Sequence, residues 1–216
     1  MKQIPWPKIH KLEEIKHLDS PVSVPLIEDY TLDDMWYLDT EEARPIFQSQ
    51  ADIVVKRKSK GIIDVGCRTG SILNLLHNMG YTDFNYMGFD TSIEPINFSA
   101  NYWKDYNNIE FRNESIHNIN FLSVNFNVDM VIWSGVLLYW PDIHFDLFKK
   151  ITIDFYKSNY AIIQEPLPPK QQKYWDERLD LNTIELDKYC EHFKVKKEIV
   201  NCEIFSGNRV ILDICI

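Results

Sequence analysis

The chain has 216 residues, of which 45% are hydrophobic and 25% charged, the composition of a globular protein with a sizeable core. Its formal net charge of −9 argues against a nucleic-acid partner, because such a partner requires a basic surface. No apolar run approaches the ~20 residues of a membrane span, and the start MKQIPWPKIHKLEE lacks the unbroken apolar core of a signal peptide. We therefore expect a cytoplasmic protein with no membrane partner.

The cysteines and the one notable basic cluster do not indicate a metal or phosphate site. The cluster, KRKSK at residues 56–60, follows a helical pattern, which favours cations at a helix C-terminus over a phosphate-binding patch. No two cysteines are spaced as a CxxC pair, and we interpret all of them as reduced, small hydrophobic residues. The cysteines are Cys67, Cys190, Cys202 and Cys215.

Residues 1–44 differ in composition from the rest of the chain. Eight acids and no Lys or Arg lie between His17 and Ala43, and Trp36 and Tyr37 stand in the middle of the acids. Four prolines before residue 26 argue against a long regular element there. Because the segment is too short to form a core of its own, we interpret it as an N-terminal extension.

A regular alternation of helical and extended patterns follows, and we place one domain at residues 45–216. The first helix is predicted over residues 43–58, where apolar residues recur at helical spacing. A strand is predicted at residues 61–65 and a helix at residues 71–80, which ends at Gly80. Later strands are predicted at residues 86–90, 109–112, 128–134 and 160–164, and later helices at residues 95–105 and 142–157.

Strands that alternate with helices predict βαβ units and a mainly parallel sheet. The C-terminal segments 198–205 and 209–216 flank a Ser-Gly-Asn sequence and read as an antiparallel hairpin. We therefore predict an α/β fold with a doubly wound, seven-stranded, mainly parallel sheet, a C-terminal antiparallel β-hairpin and helices on both faces.

The stretch GIIDVGCRTGS at residues 61–71 predicts a strand that enters a ligand-binding turn. Gly66 and Gly70 permit a tight turn, and open parallel sheets bind ligands at the carboxyl ends of their strands. Twenty residues after Gly70, the second strand ends at Asp90, whose carboxylate can accept hydrogen bonds from both hydroxyls of a ribose. Arg68 replaces a glycine of the dinucleotide fingerprint, which favours S-adenosylmethionine over NAD.

DVGCRTG resembles motif I of the class I S-adenosylmethionine-dependent methyltransferases, which commonly read D/E-x-G-x-G-x-G. GFDTS resembles their second motif, FRNESIHNI their third-strand exit, and VDMVIWSGVLLYWPD the fourth-strand segment of the small-molecule branch. In the last of these, Tyr139 stands where the family usually has His. The resemblance covers residues 45–216 and implies S-adenosylmethionine as the cofactor. The residues it places at the cofactor are Asp64, Gly66, Cys67, Arg68, Gly70, Asp90, Thr91, Glu114, Ser115 and Ser134.

The resemblance implies methyl transfer, and the fourth-strand segment bears on the acceptor. The segment lacks the D/N-P-P-Y/F/W motif of enzymes that methylate base amines, and Ser134 is not the acid that aminopropyl transferases need there. Glu165 is the one carboxylate in the place where magnesium-dependent relatives have several, so we expect no metal. A small-molecule acceptor, methylated on oxygen or nitrogen by in-line displacement, remains.

Candidate residues for the acceptor side lie in the expected loops. For a hydroxyl nucleophile, His117 and Tyr139 are candidate bases. A lone histidine near a strand end is more often packed or solvated than catalytic, and Tyr139 fits a core position equally well. His144 is a weaker candidate. The predicted substrate-binding residues are Trp36, Tyr37, Tyr139 and Glu165.

Three pairs of alternatives stay open at this level. Residues 1–44 are either a lid whose aromatic side chains wall the acceptor pocket or a solvated acidic arm over one edge of the sheet. The whole chain is either an enzyme or a non-catalytic module that binds S-adenosylmethionine or S-adenosylhomocysteine, an alternative that Arg68 and Tyr139 favour. Arg68 itself either lies outside the loop or pairs with the methionine carboxylate of the cofactor.

Overall fold

The computed structural model describes residues 44–116, 123–137, 143–166, 186–202 and 207–216. The strands within these ranges are β1 (Gly61–Val65), β2 (Asn85–Asp90), β3 (Ile109–Asn113), β4 (Met130–Ser134), β5 (Tyr160–Pro166), β6 (Lys194–Cys202) and β7 (Gly207–Cys215). They form one seven-stranded sheet in the order β3-β2-β1-β4-β5-β7-β6. Strands β1 to β5 are parallel, whereas β7 runs antiparallel to both β5 and β6. The predicted sheet and its C-terminal hairpin are confirmed.

Helices cover both faces of this sheet. The helices are α1 (Arg44–Arg57), α2 (Ser71–Asn78), α3 (Ile93–Tyr102), α4 (His144–Phe148), a π-helical continuation of α4 (Lys149–Phe155) and α5 (Leu186–His192). On one face, α1 and α2 pack with Ile62 and Ile132; on the other, α4, its continuation and α5 pack with Val65 and Trp133. Both faces of the central strands are therefore buried, which explains their continuous apolar runs.

Several predicted elements have different bounds in the structure. The helix predicted at 95–105 begins earlier, at Ile93, and Pro95 fits its first turn because the N–H groups there have no intrahelical partner. The helix predicted at 142–157 is α-helical only as far as Phe148, and the next seven residues are π-helical. Helix α5 has no counterpart in the prediction. The prediction that Gly207 and Asn208 form the hairpin turn is wrong, because they begin β7 and pair with Cys202 and Asn201 of β6. Residues 203–206, between the two strands, lie outside the described residues, as does the N-terminal extension up to residue 43.

Two further findings concern the cysteines and the membrane. Cys67 is buried, Cys215 is half-buried and Cys190 is exposed, and all three are free thiols, in agreement with the interpretation of the cysteines as reduced. Among the described residues, no helix combines the length and the apolar character needed to cross a membrane.

The basic cluster at the end of α1 binds a buried acid in β7. Arg57 donates from Nε and Nη2 to Oδ1 of Asp213 at 2.9 and 2.7 Å, and Lys56 Nζ lies 3.2 Å from Oδ2. The guanidinium of Arg57 also lies over the Tyr160 ring, 4.7 Å from its centroid. These cations therefore join a helix C-terminus to the sheet, as the favoured interpretation of the sequence stated.

Replacing Arg57 with Leu is expected to lower the free energy of unfolding by about 3 kcal/mol, because it removes a partner from a carboxylate whose side chain is only 3% exposed. Lys56→Ala is the matched control. Its side chain is 56% exposed, so its loss is expected to cost less than about 1 kcal/mol. Urea unfolding of both variants measures the difference, and equal losses would contradict the dominant role of Arg57.

Candidate cofactor site

The site lies where the order of strands reverses. β1 pairs with β2 on one side and β4 on the other, and the chain leaves β1 at the carboxyl edge of all three strands. The amides of Gly66 and Cys67 both donate to the carbonyl of Phe89, at 2.8 and 3.2 Å. These bonds fold the loop after β1 over the end of β2, which creates the crevice in which ligands of open α/β sheets bind.

The backbone of this loop is left-handed at three positions. Gly66 and Gly70 have φ of 70° and 69°, and a Cβ on Gly66 would lie 2.2 Å from Cγ2 of Val136. Arg68, between them, has φ of 50°. This angle explains why glycine is common at the corresponding position of motif I, because a side chain is disfavoured in this conformation.

Asp90 at the end of β2 closes the loop. Its Oδ2 accepts from the Arg68 amide at 3.1 Å, and its Oδ1 accepts from the Ser92 amide at 2.8 Å. A carboxylate has about four acceptor positions. Two of them therefore remain for other donors, so the carboxylate fits the two hydroxyls of a ribose.

The exit of β3 joins the same edge. Asn113 Nδ2 donates to the carbonyls of Asp90 and Thr91 at 3.1 and 2.9 Å, and the Glu114 amide donates to the Asp90 carbonyl at 3.1 Å. Glu114 and Ser115 are half-buried. Four residues predicted at the cofactor, from two neighbouring strands, thus lie together beside the loop.

A buried hydrogen bond joins β1 to β2 next to the loop. Tyr86 Oη donates to Oδ2 of Asp64 at 2.8 Å, and both side chains are buried. Burial raises the pKa of Asp64 to about 7, the hydrogen bond from Tyr86 lowers that pKa in part, and Asp90 adds to the rise. Burial also raises the pKa of the Cys67 thiol well above its usual value, so Cys67 stays a thiol and is not a nucleophile.

The exits of β4 and β5 form the other half of the edge. Ser134 Oγ accepts from Gln50 Nε2 of α1 at 3.1 Å and donates to Gln164 Oε1 at 2.8 Å. Glu165 is 2% exposed, and its Oε1 accepts from the amides of Val136 and Leu137. The predicted contact between Glu165 and an acceptor stays a prediction.

The remaining predicted residues are not brought to this edge by the described part of the chain. Trp36, Tyr37, His117 and Tyr139 lie outside the described residues. His144 is 2% exposed within α4, where its Nδ1 lies 2.9 Å from a tyrosine hydroxyl of α5, an arrangement of packing. In the ranges that the structure describes, no three His, Cys, Asp or Glu side chains are grouped as a metal site requires.

Sequence reasoning missed Gln50, Tyr86, Val136 and Gln164. Gln164 had a signal, because it is the last residue of a predicted parallel strand, as Ser134 is of another, and so shares its edge of the sheet. Gln50 and Tyr86 had none, since each looked like an ordinary position within a helix or a strand.

The sheet order and the loop after β1 define a class I S-adenosylmethionine-dependent methyltransferase domain. The family described as methyltransferase domain matches residues 56–165, which is 110 of the 216 residues, and the chain belongs to this family. No curated protein sequence matches significantly.

Solved structures share the fold at low identity. The N-methyltransferase NodS from Bradyrhizobium japonicum WM9 in complex with S-adenosyl-L-homocysteine has a TM-score of 0.62 and 11% identity, over 94% of this chain and 96% of that chain. The methyltransferase domain of bacterial CtHen1-C has 0.60 and 13%, over 82% and 99%. An O-methyltransferase family protein from Burkholderia thailandensis has 0.60 and 12%, over 85% and 57%. At these identities the likeness shows the fold.

Arg68→Gly is expected to be more stable than Arg68→Ala by about 1 kcal/mol, because only glycine adopts a φ of 50° without strain. Both variants lose the Arg68 guanidinium and its contacts. The difference in stability between them therefore measures the backbone strain at position 68. Thermal and urea unfolding measure the difference. A more stable alanine variant would show that the loop relaxes when the side chain is shortened.

Asp64 is expected to make stability depend on pH. Because its folded-state pKa of about 7 exceeds the ordinary 3.8, its favourable contribution is present below about pH 4 and is lost as the pH rises through 7. The slope approaches about 1.4 kcal/mol per pH unit at most. Asp64→Asn removes this slope, whereas the exposed control Asp105→Asn keeps it. Urea unfolding measures the free energy of unfolding of each protein across this pH range. The same pH dependence in the parent and in Asp64→Asn would contradict the assignment.

Proposed function

We propose that the protein is an S-adenosylmethionine-dependent methyltransferase that acts on a small-molecule acceptor. The observation that carries the proposal is the geometry of Asp90. Its carboxylate is fixed by two loop amides and retains acceptor positions at the carboxyl edge, beside a glycine-containing turn. Arg68 replaces the glycine that would let a pyrophosphate lie against the turn, which suits a nucleoside cofactor without a pyrophosphate.

When bound, S-adenosylmethionine supplies a methyl group that is already activated on a sulfonium sulfur. The chain's own residues then have to bind, orient and exclude water. Asp90 would hold the ribose, Glu114 and Ser115 the adenine side, and the loop from Gly66 to Gly70 the remainder. Ser134 at the end of β4 would border the acceptor side.

The acceptor class rests on the fourth-strand segment and on the neighbours. Two neighbours are an N-methyltransferase and an O-methyltransferase family protein, which favours a small molecule without deciding between oxygen and nitrogen. The roles of His117 and Tyr139 as bases, and of Trp36 and Tyr37 in the acceptor pocket, stay predictions. If residues 1–44 form a lid, their acids favour a neutral or cationic acceptor over a phosphorylated one.

The alternative is a module that binds the cofactor without catalysis. Arg68 favours it, because an arginine stands at the centre of motif I where the family pattern has glycine. The two functions differ in turnover: an enzyme releases S-adenosylhomocysteine with a suitable acceptor, whereas a module binds the cofactor tightly and transfers nothing to any acceptor.

Asp90→Ala is expected to weaken S-adenosylhomocysteine binding by about 2 kcal/mol, roughly 30-fold, because it removes the acceptor for two ribose hydroxyls. The matched control is Glu94→Ala, an exposed acid in the first turn of α3. Isothermal titration calorimetry measures both affinities. The assignment is wrong if Asp90→Ala binds as tightly as the parent protein.

A further inference from the structure

The turn that follows β4 is held by β5 through three successive amides. The Gly135 amide donates to the carbonyl of Gln164 at 2.8 Å, and Gly135 has φ of 68°. The amides of Val136 and Leu137 then donate to Glu165 Oε1 at 3.1 and 2.9 Å. A single carboxylate oxygen therefore fixes the direction in which the chain leaves the turn.

This turn lies against the cofactor loop. A Cβ on Gly66 would lie 2.2 Å from Val136 Cγ2, so the Val136 side chain occupies the space beside that glycine. Leu137 is fully buried in the core on the α4 and α5 face. Leu137 anchors one side of the turn in the core while Val136 covers the loop on the other.

The charge of Glu165 also acts on Tyr189 of helix α5. The pKa of the Tyr189 hydroxyl is raised by burial and further by the negative charge of Glu165. Tyr189 Oη lies 2.9 Å from His144 Nδ1. The charge of Glu165 therefore acts on a tyrosine of α5 that is packed with His144 of α4.

We propose that Glu165 is a positioning residue of the methyltransferase, a role that rests on the proposed function. Its carboxylate holds the turn at Val136 and Leu137, and through it keeps Val136 pressed on Gly66 of the cofactor loop. This pair of bonds thereby sets the position of the loop that would hold the cofactor. A side chain that is 2% exposed and accepts two amides acts on the site through the backbone rather than by touching the acceptor.

The first arm of the test measures the bonds without any ligand. In Glu165→Ala, hydrogen exchange of the Val136 and Leu137 amides is expected to become at least tenfold faster, because their acceptor is lost. The amides of Val131 and Ile132 within β4 are the internal reference and keep their rates. Glu165→Gln retains an acceptor oxygen at the same place and is expected to restore the protection. Unchanged exchange at both turn amides would overturn the proposal.

The second arm separates positioning from general stability. In Glu165→Ala, calorimetry is expected to show at least a tenfold loss of S-adenosylhomocysteine affinity, with recovery to within twofold in Glu165→Gln. Adenosine, titrated by NMR, is expected to bind all three proteins equally, because Asp90 and Glu114 lie on other strands. A parallel loss for both ligands, following the loss of stability in urea, or no loss for either, would overturn the proposal.

A third variant covers the case in which Glu165→Ala does not fold. Val136→Ala leaves Glu165 and both turn amides in place but removes the contact with Gly66. It is expected to reproduce the selective loss of S-adenosylhomocysteine affinity with normal amide protection, and unchanged affinity would overturn the proposal. Failure of the parent protein to bind S-adenosylhomocysteine would instead contradict the proposed function, and the exchange arm would still decide whether Glu165 holds the turn.

Discussion

The site depends on backbone hydrogen bonds between the end of β1 and the end of β2. Gly66 and Cys67 donate to the Phe89 carbonyl, and Arg68 donates to the Asp90 side chain. Because both strands are parallel and end at the same edge, the loop and the acid are positioned as one unit. The geometry is therefore carried by main-chain groups.

The second half of the edge is held by side chains instead. Ser134 links Gln50 of α1 to Gln164 of β5, and Glu165 receives the amides of the next turn. The Ser134 hydroxyl and Oε1 of Glu165 are thus each bonded to two groups of neighbouring segments. The two halves of the edge meet where Val136 contacts Gly66. A displacement of either half would be transmitted to the other through this contact.

The sequence predicted the strands, the sheet and the ligand-binding edge, and it missed helix α5 and the side-chain pairs between distant positions. The strand at Gly61–Val65, the turn glycines and Asp90 follow from alternation and from the rule that ligands bind at carboxyl strand ends. The partners of Ser134 are 84 and 30 positions away, so no local pattern announces them. The left-handed φ of Arg68 was likewise hidden, because glycine is the residue that signals such a conformation.

The π-helical turn after α4 determines how many residues this segment of the chain needs. The Tyr156 amide bonds to the carbonyl five residues earlier, so this segment holds more residues per turn than an α-helix. The wider turn brings Thr152 Oγ1 to 3.0 Å from the indole Nε1 of Trp133, which is fully buried and needs an acceptor. A one-residue deletion here would restore α-helical winding and rotate Thr152 away. The extra residue in the π-helical turn thus places the Thr152 hydroxyl where the buried indole of Trp133 needs an acceptor.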